Sequence, residues 1–305
     1  MMSSNTFLRL PVTLMSSVMG VAGLATAAKA SGINALAPTV TAVAVGAIVM
    51  LLIFTLSLFA RYRKKPTQYF DEMANMVSRN FLSCGTISLF LLSGLFNSPA
   101  LWMLGAVIQV PLFIFILTRW VYSYENLLIT FNPTFLIPPL ANVVCSIFVP
   151  EWFKGFGYFM FLVGMLVGGG VYLALLSRLI KKSFIAKPLY PTYFIMMATP
   201  SMFFLGQQTY AIRLSAVSVG YYLWAVIASI ALLLNIRKII ETNFSLAFWA
   251  FTFPMAAFTT ATYQYIQLTG ASLWIGHCLL AMTFLILLNV ITRTVLNRKR
   301  LLLPQ

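Results

Sequence analysis

The chain is divided into ten apolar stretches, each about as long as a bilayer is thick, and no other feature constrains its fold as much. A hydrocarbon core about 30 Å thick takes roughly 20 apolar residues wound as a helix. The stretches run at 12–28, 38–60, 80–96, 99–120, 134–149, 155–179, 192–209, 214–236, 246–267 and 271–292. Of the 305 residues, 61% are hydrophobic and only 8% charged, where a soluble domain carries about 25% charged residues. A soluble enzyme, a disordered tail and a secreted disulfide scaffold are therefore excluded. The stretches are also continuous, whereas barrel strands alternate apolar and polar residues over about 10 positions. The sequence predicts one all-α polytopic membrane domain over residues 1–305, with ten transmembrane helices. Ala25-Thr26-Ala27-Ala28-Lys29-Ala30 also has the small-residue pattern of a leader cleavage site. We read the first stretch as a retained helix, because Arg9 alone makes a weak basic flank.

Basic residues orient the stretches. With the N-terminus in the cytoplasm, 17 of the 20 Lys and Arg fall inside, and only Lys29, Lys154 and Arg213 fall outside. That asymmetry places both termini inside, and an odd number of crossings would break it. The formal net charge of +15 is thus a topology determinant, and no nucleic-acid partner is expected. Outer connections such as Asn97-Ser98 and Thr269-Gly270 are very short, so the chain reads as five helical hairpins with outward tips. Cys84, Cys145 and Cys278 lie in apolar stretches without a CxxC and read as buried free thiols.

The stretches hold little chemistry. All five carboxylates (Asp71, Glu72, Glu125, Glu151, Glu241) lie in connections or at stretch ends, and the lone histidine, His277, reads as a packed side chain. Proton-coupled carriers place acidic or histidine side chains inside the membrane, and metal enzymes need a ligand cluster; neither set is present. Phosphate-cradling and dinucleotide signatures are missing too. Gly168-Gly169-Gly170 lies mid-stretch and reads as close helix packing. A non-enzymatic protein without cofactor or metal is expected.

Uncharged polar residues are unevenly shared. Ser, Thr, Asn and Gln number 24 in the 90 positions of the odd-numbered stretches and 15 in the 115 positions of the even ones. Hydrocarbon offers them no hydrogen-bond partner, so the odd helices are expected inside, around one axis, and the even helices outside. Pro138, Pro139, Pro200 and Pro254 fall within odd stretches and predict bends. Phe253 stands immediately before Pro254. A phenyl ring at such a bend can plug a narrow path; the alternative is ordinary core or lipid-facing packing.

Three stretches resemble a known family. They are Asn243-Phe244-Ser245 with Phe248-Trp249-Ala250-Phe251-Thr252-Phe253-Pro254-Met255, then Asn132-Pro133-Thr134-Phe135-Leu136-Ile137-Pro138-Pro139-Leu140-Ala141-Asn142, and Leu10-Pro11 with Gly20. The chain is similar to the tellurite-resistance/dicarboxylate transporter family, which includes bacterial TehA and the plant guard-cell slow anion channels. The resemblance implies a homotrimer in a bacterial inner membrane, each protomer with its own pore lined by odd helices and occluded by the phenylalanine matching Phe253. It implies small inorganic or organic anions as partners. Three positions depart from the family pattern: Met15 stands where a phenylalanine is common, Gly85 is the flexible point where a proline is common, and Tyr172-Leu173-Ala174-Leu175-Leu176 stands where some members carry a glutamate. The site expected is a gate at Phe253, with Met15, Ser16, Gly20, Gly85, Pro138, Asn142, Pro200, Thr252 and Pro254 as lining or bending positions. Two readings follow: an anion channel with an uncharged, hydroxyl-lined pore, or a secondary carrier for dicarboxylate, sulfite or tellurite-related anions.

Overall fold

A computed structural model describes residues 10–122, 130–181, 185–211 and 213–301. Arg9, Glu125 and Lys182, and the side chains of Lys299 and Arg300, lie outside the described residues. Within them the chain is wholly helical, without a strand. Ten helices carry the fold: α1 Met15–Ala30, α2 Ala37–Lys64, α3 Ser83–Phe96, α4 Pro99–Tyr122, α5 Ile137–Ile147, α6 Lys154–Ile180, α7 Ile195–Tyr210, α8 Ala216–Leu234, α9 Thr252–Thr269 and α10 Leu273–Leu296. Seven of them, the set without α5, α7 and α9, are long and apolar enough to cross a membrane when their adjoining turns are counted, as in Val12–Ala30 for α1 and Met76–Phe96 for α3. The other three also follow 3-10 turns, at Pro133–Leu136, Lys187–Phe194 and Leu246–Phe251, as α1 does at Val12–Leu14; α5 with its turn is short, Pro133–Ile147, and α9 is rich in threonine and glutamine.

Contacts order the helices into two layers. Each odd helix packs against the even helix that follows it, and the odd helices also touch one another in the closed sequence α1, α3, α5, α7, α9 and back to α1. Burial follows the same division. Among the ten helices, the large apolar side chains exposed in the body of a helix all lie on even ones, for example Val107 (67%), Leu166 (71%) and Ile227 (66%). Odd helices add only Phe96 and Leu268, at their last turns. A water-exposed shell of that composition would be unstable, and lipid is its natural solvent. The protein is a multi-pass membrane protein.

Local chemistry closes the turns. Asn97 (φ 49°) and Gly270 (φ 70°) cap α3 and α9 in the left-handed conformation that ends helices sharply. Ser215 and Ser218 form a reciprocal capping box at the start of α8.

The prolines act differently from the sequence reading, which takes Pro138, Pro139 and Pro254 as bends inside helices. In the structure they stand in the first turns of α5 and α9, where the missing N–H would have no intrahelical partner anyway. Pro200 and Pro111 are true helix-interior prolines. Two further expectations are revised. Cys84 and Cys145 are buried, but Cys278 is exposed on α10, on the outer layer. In the glycine triplet only Gly168 approaches a neighbour, with Phe203 and Pro139 at ordinary contact distance, while Gly169 and Gly170 face open space. The close approaches in α6 belong to Gly164, where a β-carbon would meet the Pro139 carbonyl at 2.7 Å, and Gly157, where it would meet the Tyr210 hydroxyl at 2.6 Å.

Candidate functional site: two cavities that share Phe253

The ring of odd helices encloses two cavities in line. One, of about 400 Å³, is lined near the C-terminal ends of all five odd helices, by residues such as Thr26, Leu91, Phe148, Gln208 and Gln264. The other, of about 10 Å³, is lined near their N-terminal ends, by Ser16, Met19, Phe81, Ile137 and Ile195 among others. All five odd helices therefore run the same way along the axis. The smaller space is no bigger than about one water molecule. Phe253 is the residue common to both walls. It is 3% exposed, so it is not on the lipid-facing shell. Among the described residues no charged side chain lines either cavity.

The position of Phe253 follows from the chain around it. Ser245 opens a 3-10 segment, Leu246–Phe251, whose rings pack on the neighbouring helices; Phe251 lies 4.0 Å, centroid to centroid, from Phe194. The Thr252 hydroxyl donates to the Trp249 carbonyl at 2.8 Å, joining this segment to the first turn of α9. On the facing helix α1, Gly23 leaves room for the ring: a β-carbon there would sit 3.2 Å from Phe253 Cδ2. Gly20, one turn earlier, lies so close to Thr252 that a β-carbon would meet Oγ1 at 2.0 Å.

Of the other expected positions, Ser16 and Pro254 line the small space. Gly20 and Thr252 form the α1–α9 contact beside it. Met15 is buried with its sulfur near Gly85, and neither lines a cavity. Pro200 is buried within α7 and lines neither. Asn142 and Pro138 turn toward α4, where Gln109 Nε2 donates to Asn142 Oδ1 at 2.8 Å and to the Pro138 carbonyl at 3.2 Å. Thr86 completes the link by donating to Gln109 Oε1 at 2.6 Å. Asn142 Nδ2 is left buried without a partner. His277 hydrogen-bonds the Tyr263 hydroxyl through Nδ1 at 2.8 Å, joining α10 to α9.

This arrangement covers nearly the whole length that a known family occupies. The family model described as SLAC1, voltage-dependent anion channel, matches residues 9–295. The chain belongs to this family. The resemblance drawn from residues 243–255, 132–142 and the Leu10-Pro11 start is thereby borne out. Among curated relatives of the voltage-dependent anion channel family, S-type anion channel SLAH2 of Arabidopsis thaliana is 28% identical over 115 residues. That match spans 37% of this chain and 22% of the relative's own length.

Residues of this family member that the sequence reading missed are Met19, Gly23, Phe81 and Leu91 on the cavity walls, and the chamber polar set Thr26, Gln208, Thr209, Thr260 and Gln264. A signal for the last five existed. They are polar residues near the ends of odd stretches, but nothing in the chain says which face of each helix they occupy. The 3-10 starts of α1, α5 and α7 also share a Pro followed within two residues by Thr: Pro11 with Thr13, Pro133 with Thr134, and Pro191 with Thr192.

Proposed function

We propose that the protein is an anion channel for small monovalent anions, with its path along the axis of the odd helices and Phe253 as the gate. Ten membrane crossings in five hairpins, with both termini cytoplasmic, belong to the proposal. The larger chamber then opens to the outside and the small space faces the cytoplasm. A homotrimer in a bacterial inner membrane, with one path per protomer, is carried over from the family resemblance. The protein has no catalytic role in this reading.

One observation supports the proposal: Phe253 is the residue that lines both cavities, and removing its ring is expected to join them. The walls are uncharged. An anion would meet no fixed cation deep enough to trap it, which favours rapid passage. Among the described residues the inner ends of the helices carry Arg61, Arg63, Lys64, Arg119, Arg178, Lys181, Arg237, Lys238 and Arg293. Their summed potential draws anions to that side.

The test is Phe253→Ala in planar bilayers. Anion current is expected to rise over wild type, with reversal potentials under chloride, nitrate and malate gradients ranking weakly hydrated monovalent anions first. Unchanged current in a correctly folded variant would remove Phe253 from the gate. Saturable counter-flow without unitary current steps would replace the channel by a carrier.

A further inference from the structure

An apolar groove lies at the basic end of the bundle, where the first two helices meet the last. Its floor is formed by α1, at Leu14 and Ser17, and by the 3-10 segment before α9, at Trp249; all three residues are buried. Its sides are α2, at Phe54, and α10, at Val295, which is 53% exposed. Both of these helices pack on α1 and scarcely on each other. The space between them is about 370 Å³, within the range of small-ligand sites. From Leu14 to Val21 it follows about 10 Å of helix, more than half the depth of one leaflet's hydrocarbon.

The walls have little to offer a polar ligand. Three polar side chains on them donate their hydrogens within the protein: Ser17 to the Leu14 carbonyl at 2.6 Å, Trp249 Nε1 to Thr294 Oγ1 at 3.1 Å, and Thr294 to the Val290 carbonyl at 2.7 Å. Water needs several polar partners to stay in such a space. The remaining polar residue of the lining is Arg298, exposed at the start of the short helix Arg298–Leu301. Among the described residues the ion pairs are Arg61–Glu72 and Lys154–Glu151, so no carboxylate pairs with Arg298.

We infer that this groove is a lipid site, in which one acyl chain of an anionic phospholipid lies along α1 between α2 and α10 and its phosphate meets Arg298. Location selects the occupant. The even helices α2 and α10 belong to the lipid-facing layer, so the groove is reached from hydrocarbon. With 24 residues, α10 is long enough to cross that hydrocarbon, which puts Arg298, just beyond its end, at headgroup level. A phosphate there supplies the missing counter-charge. The chain would also back the segment Leu246–Phe251, which leads into Phe253. The inference does not depend on the anion path.

Native mass spectrometry tests it, with the detergent-solubilised protein titrated with phosphatidylglycerol or phosphatidylcholine of the same acyl chains. Phosphatidylglycerol is expected to bind the wild type more tightly. Arg298→Ala is expected to weaken phosphatidylglycerol about fivefold, the effect of one basic residue near anionic lipid, and to leave phosphatidylcholine unchanged. Arg298→Lys should keep most of the preference. Val295→Phe, which fills the groove from an exposed position, is expected to weaken both lipids without changing the melting temperature in lipid-free detergent. Glycerol phosphate, which has the charge and no chain, should not compete. Equal binding of the two lipids overturns the site, as does phosphatidylglycerol binding that Val295→Phe leaves intact or that glycerol phosphate displaces. A disulfide between two copies of Val295→Cys would make a second copy the occupant, and lipid binding seen only after deletion of residues 2–8 would make the chain's own N-terminal segment the occupant; either result ends the proposal.

Discussion

Gly20 and Gly23 show how narrow the tolerances are around the constriction. A β-carbon at Gly20 would stand 2.0 Å from Thr252 Oγ1 and 2.8 Å from Thr252 Cβ. Helices α1 and α9 must part to admit it, so Gly20→Ala is expected to lower stability by about 1–3 kcal/mol, the range for overpacking. Thermal unfolding in detergent measures this. Adding Thr252→Ala should recover only part, because the Cβ contact remains. Gly23→Ala acts on the ring itself, bringing a methyl group 3.2 Å from Phe253 Cδ2 and 3.1 Å from Ala256 Cβ. It is expected to slow anion flux into liposomes when Phe253 is present and to change little in Phe253→Ala. An equal loss in both backgrounds would disconnect Gly23 from the ring. Gly20 stood out in the sequence only as part of a Leu-Pro…Gly pattern, and Gly23 not at all. A glycine's need for space is invisible until the opposing helix is placed.

At the scale of elements, the starts of the odd helices are held by partners on other segments. Glu72, in the short helix Pro66–Ala74, accepts the Val12 N–H at 2.7 Å and pairs with Arg61, whose guanidinium also donates to the Leu10 carbonyl. The side chains of Arg61 and Glu72 are 7% and 16% exposed. Glu72→Ala leaves an uncompensated buried cation and is expected to cost about 3 kcal/mol. The double change with Arg61→Met should cost less than the sum of its parts, as a double-mutant cycle of melting curves would show. Gln109 ties α4 to α3 and α5 in the same manner. Gln109→Leu leaves Asn142 Oδ1 without its donor, while the Thr86 hydroxyl keeps the Ser83 carbonyl at 2.9 Å, and is expected to cost about 2 kcal/mol in the same melts. The sequence hinted at this residue: a lone glutamine in an apolar stretch has no partner in lipid. Its address, Asn142, was not legible, and so Asn142 was expected on the path instead of on the α4 side.

For the whole molecule, the outer layer of even helices and the charge asymmetry lead to an accessibility test. An impermeant thiol reagent should label Lys29→Cys from outside and Lys64→Cys only from inside, and a reversed pattern would invert the topology. Thr260→Cys, in the larger chamber, should react from outside in the wild type and from both sides in Phe253→Ala. The native thiols do not interfere, since Cys84 and Cys145 are buried and Cys278 lies on the lipid-facing layer. Membrane class, the division into polar odd and apolar even stretches, and the family could all be read from the amino-acid sequence. These properties depend on hydropathy, charge and short motifs, which each segment carries whatever its neighbours do. Tertiary structure alone decided that Phe253 lines two cavities, that Gln208 and Gln264 both line the larger one, and that Pro254 stands in the first turn of a helix. Those facts depend on the axial and rotational register of five helices. That register is set by contacts between distant parts of the chain, such as Gln267 Nε2 donating to the Ala30 carbonyl at 3.2 Å across 237 residues, and no local pattern encodes it.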